Sequence, residues 1–305
     1  MQTLPAAPPP ASLSLQAPLA SPVPRRGLWS DAFGRLRKNP AAMTGLVVIV
    51  ALALTAIFAD RIAPYDYARQ FVGGPSEAPT RAFPFGTDSL GRDQLSRVIY
   101  GSRISLSVGF LVQLMVLAIG VPLGALAGYA GGRVDGLIMR FTDVMYAFPD
   151  LLFVILLLAV LGRSEVNVFL AIGVVAWPTM ARLVRAQFLA LKNEEYVLAA
   201  RVSGASGWRI VTRHLLPNAS GPIIVAVTLG IPSAILTEAI LAFLGLGAPP
   251  PLPSWGSLVN DALDSIFTVP LLAIFPSLAV SVTMLAFVFL GDGLRDALDP
   301  RASSR

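Results

Sequence analysis

The chain has 305 residues, of which 55% are hydrophobic and only 13% charged, with a formal net charge of +5. A soluble domain carries about 25% charged residues because its surface faces water, so this composition excludes an ordinary soluble fold. Cysteine is absent, His214 is the only histidine, and the two lysines, Lys38 and Lys192, do not follow glycine; these facts exclude disulfides, thiolate or imidazole metal sites and a Gly-Lys-Ser/Thr phosphate loop.

In chain order, residues 1–24 are rich in Pro, Ala and Ser and carry no charge. They lack the basic start of a secretory signal and read as a disordered cytoplasmic tail. A short amphipathic piece, Gly27–Lys38, places Trp29, Phe33 and Leu36 on one helical face, with Arg35, Arg37 and Lys38 available to headgroups. An ordinary cytoplasmic helix end fits the same residues.

Six segments reach the roughly 20 apolar residues that cross a bilayer: Pro40–Ala59, Ile104–Tyr129, Leu137–Leu161, Val166–Val184, Pro222–Leu246 and Pro270–Leu290. The expected fold is therefore an all-α integral membrane protein with six transmembrane helices. Asn39 is placed to cap the first, and Trp177-Pro178 marks a kink in the fourth. Gly120, Gly124 and Gly128 recur at the spacing that lets helix backbones approach in lipid. Basic residues fall mainly in the amino-terminal segment, the 129–140 and 182–217 connections and the carboxyl end, which by the positive-inside rule sets both termini in the cytoplasm. The connection after the first span opposes this, since it holds Arg61, Arg69, Arg81, Arg92, Arg97 and Arg103.

Glu238 is read as a carboxylate well inside a span, where such groups are costly; it lines a translocation path or makes a structural hydrogen bond. Gln113 faces the same choice, with helix–helix bonding favoured. Asp88, Arg92 and Asp93 either meet a binding protein or hold their loop together.

The connection 192–217 reads as two short helices. Glu194 and Glu195 occupy the first turn of one, Gly204 ends it in a left-handed conformation, Ser206 caps the second, and Pro217 closes that helix before the fifth span. Ala199 and Ala200 give a smooth face for a partner protein. The run Leu198-Ala199-Ala200, Gly204, Leu216-Pro217 resembles the "EAA" loop of bacterial binding-protein-dependent ABC importer permeases: Glu-Ala-Ala, three residues, Gly, nine residues, Ile-x-Leu-Pro. Leu198 stands where that pattern has Glu and His214 where it has Ile. Phe85–Asp93, Leu95–Leu106, Ala242–Gly247, Pro249–Gly256 and Gly291–Pro300 are similar to segments of the C permease (DppC/OppC-like) of the peptide/nickel branch.

The resemblance implies a MetI-like core of five helices plus an amino-terminal helix. It divides the chain into 1–38 (cytoplasmic amino terminus), 39–102 (first span and extracytoplasmic loop), 103–292 (permease core) and 293–305 (cytoplasmic carboxyl terminus). It also implies a bacterial inner-membrane permease importing peptides or a related small solute from an extracytoplasmic binding protein. Glu195, Leu198, Ala199, Ala200, Gly204, Leu216 and Pro217 would form an ATPase-coupling loop; Glu238 and Gln113 are the translocation-path candidates. Partners would be a second, homologous permease, two ATPase subunits and the binding protein. No catalytic, cofactor or metal residue is expected here; ATP and Mg would belong to the ATPases. A secondary transporter or an intramembrane serine hydrolase would leave the loop motif unexplained, and the hydrolase lacks both Gly-x-Ser-x-Gly and a base inside the bundle.

Overall fold

The computed structural model describes residues 28–299, and among these the regular structure is helical apart from one isolated bridge between Thr87 and Asp93. The expected tail at 1–24, the side chain of Trp29 and the residues beyond Asp299 lie outside the described residues. Helix α1 (Leu28–Leu36) and the membrane-length α2 (Pro40–Ile57) come first, followed by one turn, α3 (Ala59–Ile62). A long connection leads to α4 (Gln94–Ala130), the kinked pair α5 (Gly132–Ala147) and α6 (Asp150–Leu161), and α7 (Glu165–Leu191). Short helices α8 (Glu195–Val202) and α9 (Gly207–Ile210) precede α10 (Leu216–Phe243), α11 (Trp255–Asp261) and α12 (Leu271–Leu298).

Among the described residues, five helices are long and apolar enough to span a bilayer, or six spans if α5 and α6 are taken together as one. That pair corrects the third span. Apolarity predicts one helix over Leu137–Leu161, but the chain turns by 87° between α5 and α6. Pro149 lacks an N–H and pushes Phe148 into extended backbone, φ −88° and ψ 137°, so the helix stops there and restarts at Asp150. Helices α4, α7 and α12 outrun the apolar segments, whereas α2 stops at Ile57, two residues inside its expected end. Hydropathy registers only the lipid-depth stretch of a helix, while α4 starts at Gln94 and α7 continues to Leu191.

Pro217 also behaves differently from expectation. It does not end a helix, because Gly207–Phe243 is one continuous helical rod. The wide turn Val211–Leu215 carries the chain into α10, with Leu216 N–H donating to Val211 O. Widening the helix there accommodates a proline that would otherwise clash with the preceding turn. Asn39 does cap α2, its Oδ1 accepting from Ala42 N–H at 3.1 Å.

The bundle centres on α4, which packs in parallel along α7. A Cβ at Gly120 would stand 2.7 Å from Met180 Cβ, and one at Gly128 2.6 Å from Phe188 Cβ; at Gly124 it would collide with Ala181 O. Close backbone approach is what holds helices together in lipid, where apolar burial supplies no drive. We expect Gly124→Val to force α4 and α7 apart and cost about 1–3 kcal/mol, read as a lowered melting temperature of the detergent-purified protein; an unchanged melting temperature would refute the packing role.

On the opposite side, α10 and α12 run against α4 and α2, and α1 buries Ala32 and Leu36 against Ala297 while Phe33 stays exposed beneath the Arg37 guanidinium. Leu36, not Phe33, is therefore the inward residue of the amphipathic piece. At the far end, the connection 63–93 is folded onto α4 and α11. Asp88, Arg92 and Asp93 are all buried. Asp88 accepts from Arg92 Nε at 2.6 Å and from Arg97 at 2.5 Å; Arg97 also reaches Asp261 of α11 at 3.0 Å. Asp93 caps α4 through Ser96 N–H. These residues hold the loop together and fix α11.

Candidate coupling segment and translocation groove

The segment 192–217 emerges at the end of the bundle where α4 and α7 finish. Lys192 ties it down, donating to Gly128 O at 3.1 Å. Helix α8 ends as expected: Gly204 has φ +81°, its N–H donates to Arg201 O and that of Ala205 to Ala200 O, both at 3.0 Å. This pair of hydrogen bonds around a left-handed residue satisfies two of the last carbonyls of the helix, and glycine takes that conformation without a Cβ penalty. Ser206 Oγ then accepts from Arg209 N–H and starts α9.

Val197, Ile210 and Leu215 anchor the segment by complete burial. The opposite surface is apolar and uncovered: Leu198 is 43% exposed, Trp208 77% and Val202 89%. Glu195, Ala199 and Gly204 share that exposure, whereas Ala200 and Leu216 are half-buried and Pro217 sits exposed at the start of α10. His214 is half-buried, its ring 6.5 Å from that of Tyr196. Partial burial pushes the Tyr196 hydroxyl up, and Glu194 adds to the effect. A buried base and the exposed Leu198 and Val202, four residues apart and so on one face of α8, suit docking.

A groove runs between α7 and α10. It holds an upper cavity of about 280 Å3 and a lower cavity of about 800 Å3, both touching Leu183 and Ala226. Gln113 lines the upper cavity, beside Gly230. Glu238 does not line it. Instead Glu238 is 1% exposed between α4, α10 and the start of α11, accepting from Ser105 Oγ at 3.2 Å; Ser105 Oγ in turn accepts from Trp255 N–H at 3.2 Å. The two path candidates are thus separated, one on the cavity wall and one in the packed interior.

The cavity also holds residues that reading the sequence passed over: Tyr146 and Thr179, hydroxyl to hydroxyl at 2.6 Å, and Asp150. Asp150 lies inside the segment expected as the third span, so the signal was present. It was a carboxylate directly after Phe148-Pro149, where an unbroken helix could not have continued.

Residues 120–304 match the family described as binding-protein-dependent transport system inner membrane component, and residues 27–79 match the N-terminal TM domain of oligopeptide transport permease C. The chain is 45% identical to the oligopeptide transport system permease protein OppC of Bacillus subtilis (strain 168), over 90% of each chain. It is 43% identical to the dipeptide transport system permease protein DppC of Alkalihalophilus pseudofirmus, over 90% of this chain and 91% of that one. Identity to the glutathione transport system permease protein GsiD of Escherichia coli O6:K15:H31 is 45%, over 93% and 94%. Among solved structures it resembles the MetNI methionine ABC transporter in an inward-facing form, with a TM-score of 0.57 at 17% identity, covering 67% of this chain and 97% of that one; this likeness concerns the fold.

Proposed function

This chain belongs to the binding-protein-dependent transport system inner membrane component family, and we propose that it serves as one permease subunit of an ATP-driven importer of peptides. The observation that carries the substrate class is the agreement of relatives named for oligopeptides, dipeptides and glutathione, each matched along about nine-tenths of the chain. All three names denote molecules built on amide-linked amino acids.

In this reading both termini and the segment 192–217 face the cytoplasm, as the distribution of Lys and Arg favours. The exposed shelf of Leu198, Val202 and Trp208 seats in a cytoplasmic ATPase subunit. ATP and Mg bind there, not in this chain. Closure of two such ATPases shifts the α8–α9 element, and the continuous rod from Gly207 to Phe243 carries that shift directly to the groove wall. A second, homologous permease supplies the facing wall, and an extracytoplasmic binding protein delivers the solute at the α11 end. The energetic link is a bistable bundle biased by nucleotide binding elsewhere.

The test is an affinity pull-down of the tagged chain from mild-detergent membranes, combined with uptake of radiolabelled tri-alanine by cells with and without the gene. Recovery of a second permease and one or two ATPases, with uptake lost on deletion, is the expected result. A homo-oligomer free of ATPases in several detergents would overturn the reading and favour a secondary transporter.

A further inference from the structure

We infer that Asp150 receives the ammonium group of the passing substrate and makes a free amine a condition of transport through this chain. This deepens the importer reading above and rests on it.

Asp150 opens α6 directly after the 87° turn that interrupts the third span. Irregular backbone at membrane depth is tolerated where it lines a cavity, and here it borders the cavity of about 280 Å3 between α7 and α10. Depth follows from the neighbours. Ala176 and Thr179, near the middle of the 27-residue α7, line the same cavity. The 12 residues of α6 place Asp150 about 18 Å from that helix's other end, at 1.5 Å per residue.

Among the described residues, Asp150 is the only charged side chain on the cavity wall. Its carboxylate is exposed and has no ion-pair or hydrogen-bond partner among them. On the adjoining α7, Arg182 is already committed, pairing with Asp143 at 2.6 Å and lying over the Tyr146 ring, 4.0 Å from its centroid. The amino-terminal dipole of α6 steadies that charge without pairing it, which leaves a carboxylate in an apolar wall open to a cationic visitor.

The surroundings select among cations. A divalent metal such as calcium takes about six to eight oxygen ligands held in one cage, whereas this wall offers a single carboxylate. A primary ammonium needs one anion and further acceptors for its remaining N–H groups. Gln113 and the Tyr146–Thr179 hydroxyl pair line the same cavity and carry such acceptors, and Ser233 and Thr237 on α10 add polar groups for an amide backbone. Dipeptides, oligopeptides and glutathione all carry such an amine.

The experiment reconstitutes the complete importer, with its co-purified permease, ATPases and binding protein, into proteoliposomes and measures uptake of radiolabelled tri-alanine. Asp150→Asn should lower uptake by about tenfold or more, the equivalent of about 1.4 kcal/mol. Asp150→Glu, which keeps the charge, should retain most of it. Stimulation of ATP hydrolysis by loaded binding protein should survive in both variants, which a merely misfolded subunit would not show. Wild-type uptake by Asp150→Asn overturns the inference while leaving the importer reading intact. Loss of ATPase stimulation together with uptake in Asp150→Asn assigns the residue to structure and also overturns it. Failure of the wild-type complex to take up tri-alanine sinks the peptide reading, and the inference falls with it.

Discussion

Gly204→Glu should leave the chain in the membrane at its normal level and abolish uptake. Gly204 sits at φ +81° with nothing within 4 Å of a Cβ placed there. The substitution therefore meets no clash, and its cost to folding is the left-handed conformation alone, about 1–2 kcal/mol for a residue other than glycine. That strain is confined to the end of α8, outside the helices that make the bundle. Its effect on docking is much larger. Gly204 adjoins the exposed shelf of Leu198, Val202 and Trp208, and an unpaired carboxylate forced into a desolvated interface costs roughly 2–5 kcal/mol, a contact weakened by about 30-fold or more. Gly204→Ala keeps the backbone strain without the charge, so it should retain most of the uptake. Membrane level by immunoblot, together with tri-alanine uptake, reads both variants. Normal uptake by a stably inserted Gly204→Glu protein would show that the segment 192–217 does not couple to an ATPase.

The helical membrane class is legible because lipid leaves few options: long apolar runs with their own backbone bonds satisfied. The end of α8 is equally readable, since glycine at the left-handed position and serine at the next cap are local chemistry that tertiary packing does not override. Gly120, Gly124 and Gly128 announce a close helix contact, though only the structure shows that α7 is the partner. The errors have physical causes too. Apolarity averaged over Leu137–Leu161 conceals a break made by two residues, Phe148 and Pro149. Pro217 follows its usual behaviour in soluble helices when read alone, but a wide turn just before it absorbs the missing N–H. Glu238 draws notice because it stands alone in an apolar run. Its burial against Ser105 and the α11 start depends on contacts 133 residues apart, which no local pattern encodes. Asp150 is hidden by the same averaging that hides the break.

The second large effect lies at the opposite end of the molecule. Asp88→Ala should destabilise the protein by about 3–5 kcal/mol, the usual consequence of removing one member of a buried ion cluster. Asp88 accepts from the backbone N–H groups of Leu90 and Arg92, both at 2.9 Å, as well as from the side chains of Arg92 and Arg97. Without it, two buried guanidinium groups share only Asp261, whose side chain is 35% exposed. The connection 63–93 and α11 then lose their common anchor, and α11 is the element whose first turn closes over Glu238. Asp88→Asn keeps acceptors for the backbone and should cost less. Replacing Arg97 as well, in Asp88→Ala/Arg97→Met, removes one orphaned charge and should recover some of the loss, so the double-mutant cycle separates charge pairing from loop geometry. Thermal unfolding of the detergent-purified variants, with the Arg97→Met single mutant that closes the cycle, measures all four. A loss below about 1 kcal/mol for Asp88→Ala, the range of exposed ion pairs, would mean that water reaches the cluster and that the loop is held by its backbone bonds instead.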